Sequence, residues 1–237
     1  HKLFLFFILV TLPTIFFMIE KKLIQFLQSL QKNNNRPWFE EHRPDYENAK
    51  SSFLVFVDQV LKTITTFDPS VANLLAKDCT FRINRDVRFS KDKRPYKNNM
   101  SAYFNRGGKK GAGAGYYIHI EPGKSFAAAG IWMPEPADLA RIRQEIDYNF
   151  PEWKKIIQSP SFKKRFPEGL DQTDTLQRPP KGYAEDNPAI AFLKMKHFVV
   201  RKSFTDAGIG DKAFVKEINK TFAALKPMID FINRSLD

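Results

Sequence analysis

Apolar residues along this chain follow two rhythms. From Met18 to Lys32, Leu23, Phe26, Leu27 and Leu30 recur at helical spacing. Asn33, Asn34 and Asn35 then stop the helix, because Asn tolerates capping and left-handed backbone. A longer stripe of Phe53, Val57, Val60, Ile64 and Phe67 predicts a helix from about Pro44 to Thr66, with Pro44 in its first turn. Asp68-Pro69-Ser70 breaks it, and Val71 to Ala76 reads as a short helix. Further on, Leu139, Ile142, Ile146 and Phe150 mark one helix, and Trp153, Ile156, Ile157, Phe162 and Phe166 continue in helical segments. Asn187-Pro188 looks like a cap and a first-turn proline opening a helix to about Lys196. Asp211 to Ser235 is the last, with Phe214, Ile218, Phe222 and Leu225 on its core face and Pro227 set to kink or divide it.

The second rhythm has period two. Tyr116 to Glu121 and Ser125 to Met133 read as a hairpin, with Pro122-Gly123 supplying type II turn chemistry. Tyr116, Ile118 and Ile120 face one way; Tyr117, His119 and Glu121 face the other. Ala127 to Gly130 are small, so a helix or a ligand packs closely there. His197 to Phe204 is another strand. The stretch Phe81 to Lys97, FRINRDVRFSKDKRPYK, puts Phe81, Ile83, Arg85, Val87 and Phe89 on one face and Arg82, Asn84, Asp86 and Arg88 on the other. It predicts a half-buried strand running into a basic turn. Arg85 falls on the apolar face, where a guanidinium needs a carboxylate or an anionic ligand. Together these elements predict an α+β fold, an antiparallel sheet flanked by several helices, in a single domain over residues 18–237.

Composition narrows the picture modestly. An apolar content of 43% with 23 Phe residues argues for a folded globule. A net charge of +12 suits an anionic partner such as nucleic acid, a phosphorylated small molecule or a membrane surface, although solubility alone accounts for it as well. Cys79 is the single cysteine, so no intrachain disulfide forms, and its apolar neighbours suit a buried thiol. Residues 1–17, HKLFLFFILVTLPTIFF, are short for a spanning helix and lack an Ala-x-Ala cleavage site. They read as lying upstream of a start at Met18 or as a signal-like segment. The expected location is the cytoplasm, with export or membrane anchoring as the alternative if residues 1–17 are genuine. No integral membrane contact is expected from residues 18–237.

Several chemistries find no support. The run GGKKGAGAG (107–115) leads into a strand, whereas a Walker loop opens a helix with Gly-Lys-Ser/Thr, and the dinucleotide fingerprint fails on the same context. A flexible cationic loop is the better reading. His42, His119 and His197 show no metal-ligand spacing, so neither a metal nor a cofactor is expected. No G-x-S-x-G elbow is present.

The runs NNNRPWFEEHRPDYE (33–47), RINRDVRFSKDKRPYK (82–97), YYIHIEPGKSFAAAGIWMPEP (116–136), RPPKGY (178–183) and NPAIAFLKMK (187–196) resemble an uncharacterised bacterial and fungal family. Its motifs read RDxRFSKDKxPYK and YYxHIEPG. The resemblance spans roughly Met18 to Asp237 and supports Met18 as the start, but it implies no activity. The glycine-rich loop looks like a local elaboration of this chain.

Candidate chemistry therefore rests on charge. Between Arg82 and Lys110 ten basic residues face two acidic ones, interleaved with Phe89, Tyr96, Tyr103 and Phe104. The expected site binds an anionic ligand, either a phosphorylated small molecule or nucleic acid. Its candidate residues are Arg82, Arg85, Asp86, Arg88, Ser90, Lys93, Tyr96, Lys97, Tyr117 and His119. The basic turn and the glycine loop are expected to share one surface. The alternative is an enzyme acting on a small anionic substrate, with Asp86 or His119 as the acid–base group. Ion pairing of Asp86 with Arg82 or Arg88 is the plainer reading of that carboxylate.

Overall fold

A computed structural model describes residues 21–211 and 213–237, so the expectation for residues 1–17 lies outside the described residues. The chain opens with α1 (Lys21–Lys32), α2 (Arg36–Glu41) and α3 (Arg43–Thr65). Leu23, Phe26, Leu27 and Leu30 are buried, as their spacing required. Asn35 caps α2 by accepting from the Trp38 amide. Helix α3 buries Phe53, Phe56, Val57, Val60, Leu61 and Ile64. A 3-10 turn (Pro69–Val71) and a single helical turn, α4 (Ala76–Cys79), replace the helix expected over 71–76.

A four-stranded antiparallel sheet follows in the order β1 (Met100–Phe104), β2 (Gly115–Ile120), β3 (Ser125–Ile131), β4 (Phe198–Phe204). The β2–β3 turn is the one its sequence demanded. Gly123 has φ +73 and the Lys124 amide donates to the Glu121 carbonyl at 2.9 Å. Between β3 and β4 run α5 (Pro136–Tyr148), α6 (Phe150–Ile157), α7 (Pro160–Arg165) and a one-turn α8 (Ile190–Leu193). After β4 come α9 (Asp206–Ile209) and α10 (Phe214–Arg234). The fold is α+β.

Helix α10 lies across one face of the sheet, and Pro227 sits inside it without dividing it. Phe222 meets Tyr116 at 5.1 Å between ring centroids, and Trp153 of α6 meets Phe231 at 5.1 Å and Phe198 at 5.9 Å. Ala102, Phe104, Ile118, Ala127, Ala129 and Val200 join this core. The Tyr116 hydroxyl donates to buried Asp68 at 2.8 Å, which satisfies both groups. Among the described residues, the opposite face of the sheet carries no helix of this kind.

The strand expected over 81–89 does not form. Two isolated bridges, Thr80 with Ala102 and Asn84 with Tyr96, are the only pairings in this stretch, and the chain between them is a loop closed on itself. The Arg85 amide donates to the Pro95 carbonyl and the Lys97 amide to the Ile83 carbonyl. The reason is local competition. Asp86 accepts from the Arg88 amide and Asp92 from the Arg94 amide, giving the backbone turns in place of a ladder. The assumed apolar face is not one: Ile83 is buried, but Phe81 and Phe89 are exposed.

The helix expected from Asn187 to Lys196 shrinks to α8 for a related reason. Met195 bridges Thr175, and the Leu176 amide bonds the Lys194 carbonyl, which draws the chain out of the helix.

Candidate functional site

On the uncovered face, register places Tyr103 opposite Tyr117, His119 opposite Phe126, and Ala128 between Tyr117 and Arg201. These side chains floor a cavity of about 850 Å³. Its walls are Phe81 and Lys109 on one side, the loop Gly111–Gly113 at one end, and Ile131 to Glu135 with Asp138 beyond. The small residues of β3 thus serve both faces: Ala127 and Ala129 lie under α10, while Ala128 and Gly130 keep the cavity floor low.

Aromatic rings dominate the lining. His119 stacks on Phe126 at 4.8 Å and 14°, Tyr117 lies 5.7 Å from Phe126, and Phe81 closes on Tyr117 at 6.3 Å. The Arg201 guanidinium sits 4.6 Å above Phe126 and reaches Asp171 at 3.4 Å. Trp132, 60% exposed, and Met133, 53% exposed, stand at the rim. Met133 has φ +47, a left-handed conformation uncommon for a side chain of its size and of the kind that collects at ligand sites. Trp132 also packs on His197 at 4.3 Å.

The glycine loop is held, not free. The Asn105 amide donates to the Gly113 and Ala114 carbonyls at 3.1 Å each, and its oxygen accepts from the Gly107 amide at 2.8 Å. Asn233 of α10 accepts from the Ala114 amide at 2.7 Å, and the Tyr103 hydroxyl donates to the Gly113 carbonyl at 3.1 Å. Gly111 allows the close approach: a Cβ there would fall 2.4 Å from Gly107 Cα. These bonds anchor the loop, expected as a flexible cationic one, at Gly107 and at Gly113–Ala114.

Two ammonium groups sit against Phe81. The ammonium groups of Lys97 and Lys109 lie 5.5 and 5.7 Å from its ring centroid, and Arg82 is the next residue along the chain. Lys109 also donates to the Thr80 carbonyl. Among the described residues no carboxylate forms an ion pair with Lys97, Lys109 or Arg82. Burial, then Arg82 and Lys109, push the Lys97 ammonium below the ordinary lysine value.

A second group of polar atoms starts from Tyr117 and His119 in the cavity lining and runs to Glu121 outside it. The Tyr117 hydroxyl is 3.1 Å from His119 Nδ1, and His119 Nε2 is 2.8 Å from the Glu121 carboxylate. Burial raises the Tyr117 phenol above its usual range.

The residues singled out from the sequence divide in two. Tyr117 and His119 line the cavity, Lys97 sits on Phe81, and the Arg82 charge acts on Lys97. The others are used within the 82–97 loop. Arg85 pairs with Asp92 at 2.7 Å and reaches the Arg94 carbonyl and the Ser90 hydroxyl. Asp86 pairs with Arg88 at 2.6 Å, and Lys93 donates to the Val87 carbonyl. Tyr96 is buried against Phe39 at 3.9 Å. Arg85 does find a carboxylate, as its position demanded, but in its own loop and not on a sheet face. Sequence reasoning missed Phe126, Arg201 and Trp132, while Tyr103, one of the aromatics named in the basic stretch, lies on the cavity floor. The signal for the first two was the period-two alternation that singled out Tyr117 and His119, carried across to β3 and β4.

The face of the sheet away from α10 thus carries an aromatic-lined cavity with Lys109 in its wall. Residues 22–231 match the family described as conserved hypothetical protein (DUF2461), and the chain belongs to that family. No curated protein and no solved structure matches the chain. No helix among the described residues is long and apolar enough to cross a membrane, and no group of three or more His, Cys, Asp or Glu among them is placed to hold a metal ion.

Proposed function

We propose that the protein binds a small anionic molecule with a flat, apolar body in the cavity on the uncovered sheet face. The observation that carries this reading is the cavity itself, about 850 Å³, floored by rings on three adjacent strands and walled by Lys109. Tyr117, Phe126 and Phe81 suit a planar body. Lys109 in the wall, with Lys97 beside it on the Phe81 ring, supplies positive charge that no ion pair takes up, while Glu135 and Asp138 line the wall beyond Ile131. A small ligand is favoured over nucleic acid because three arginines of the basic turn are committed: Arg85 and Arg94 to Asp92, and Arg88 to Asp86.

Calorimetric titration with naphthyl phosphate tests the reading, with neutral naphthol as the uncharged control. One saturable site is expected for the phosphate, with naphthol weaker. Lys109→Gln should weaken the phosphate by about tenfold, equivalent to ~1.4 kcal/mol. Ala128→Phe should abolish binding by filling the floor. Absence of saturable binding contradicts the reading. Tighter binding of duplex oligonucleotides, with a log–log salt slope of about −0.9 per phosphate neutralised, supports the nucleic-acid reading in its place. An enzymatic reading draws on Tyr117, His119 and Glu121. Asp86 does not serve it, since it lies outside the cavity with both oxygens on Arg88.

A further inference from the structure

We propose that Tyr117, His119 and Glu121 form a proton relay whose terminal group is the Tyr117 hydroxyl, acting as a base on a weakly acidic C–H or O–H of a molecule held in the cavity. This rests on the binding reading above. The distances define the direction. Glu121 accepts from His119 Nε2 at 2.8 Å, so the neutral imidazole carries its proton on Nε2 and offers the Nδ1 lone pair to Tyr117 at 3.1 Å. The opposite tautomer would set a lone pair against the Glu121 carboxylate. His119 thus has both nitrogens engaged, and Tyr117, which lines the cavity, is the member that meets a ligand.

The step conserves protons. The Tyr117 oxygen takes the substrate proton as its own proton passes to His119 Nδ1, and Glu121 stabilises the imidazolium. A bare phenolate, which burial disfavours at Tyr117, need not form. The period of the strand builds the relay: residues 117, 119 and 121 project on one face, so three consecutive outward positions of β2 and its turn hold all three groups. Phe126, stacked on His119, fixes the ring plane. Charged groups near His119 are Glu121 on its own chain segment and Arg201 of β4 across Phe126; Lys97 and Lys109 lie beyond Phe81, which packs on Tyr117.

Nitrobenzisoxazole is a planar probe whose ring opening reports a base in an apolar pocket. Its ring C–H proton goes to the Tyr117 oxygen, the C–H electron pair forms the nitrile, and the N–O bond breaks to leave a coloured phenolate. Opening should run roughly a hundredfold faster than in buffer, as positioned proton transfer typically provides. Naphthyl phosphate should inhibit it competitively. Tyr117→Phe, which keeps the ring, and His119→Gln should each lose most of the acceleration. A solvent deuterium isotope effect on the wild-type opening should shrink in His119→Gln, which a merely structural histidine would not change. Acceleration that survives Tyr117→Phe overturns the relay. So does the absence of acceleration in a protein that binds naphthyl phosphate, and that result leaves the binding reading standing. Failure of both binding and acceleration overturns both.

Discussion

The basic loop shows how single residues decide a local structure. Asp86 and Asp92 each bind an arginine side chain and a backbone amide two residues on, and those hydrogen bonds hold both carboxylates below their ordinary value of 3.8. Groups depressed in the folded state stabilise it above the unfolded pKa and cease to do so as pH falls through the folded one. The loop should therefore keep its order at neutral pH, begin to loosen only once pH falls below the ordinary carboxylate value, and open as pH passes the depressed ones, as read by amide exchange or by peptic cleavage near Phe89. Loss of order at neutral pH would contradict this. In the core, Tyr116 and Asp68 satisfy each other in a buried setting. Tyr116→Phe should cost about 1–3 kcal/mol in denaturant unfolding, because it removes a donor from a buried carboxylate. A change near zero would mean that water replaces the hydroxyl.

Among the elements, β3 carries the tightest constraint. Gly130 has φ +132, and a Cβ there would fall 1.9 Å from the Phe198 carbonyl oxygen. Gly130→Ala should destabilise by about 1–3 kcal/mol from backbone strain alone, with the clash adding to it. Asn105→Ala should release the glycine loop and weaken naphthyl phosphate binding while the sheet persists, measured by exchange at residues 107–114 and by calorimetry. The long periodic elements were legible in the sequence: α1, α3, α10, the β2–β3 hairpin and β4 all fall within a few residues of their predicted spans. They bury a whole face, so period alone specifies them. The strand over 81–89 and the helix over 187–196 were not legible. There, side-chain bonds from Asp86 and Asp92, and the bridge from Thr175 to Met195, outcompete the local pattern. Tyr117 and His119 were legible as outward residues of one strand. Their meeting with Phe126, Arg201 and Trp132 was not, because it depends on strand order and on the turn after β3.

Over the whole molecule the two faces of one sheet divide the labour. Helix α10 seals one face with Phe222, Met228 and Ile232, and stability resides there. The other face, free of helices among the described residues, carries rings and a hydrogen-bonded Tyr–His–Glu chain. The +12 charge is partly spent within the chain, on pairs such as Arg234 with Glu145 and Glu152, and Lys202 with Glu217. The cations around Phe81 are not spent in this way. The most direct test of the account is an amide and side-chain NMR titration with naphthyl phosphate. The account predicts saturable shifts at Tyr117, His119, Phe126, Ala128 and Arg201, with Lys109 following, and little change from Asp86 to Arg94. Shifts confined to the 82–96 loop, or scattered over the surface without saturation, would contradict it.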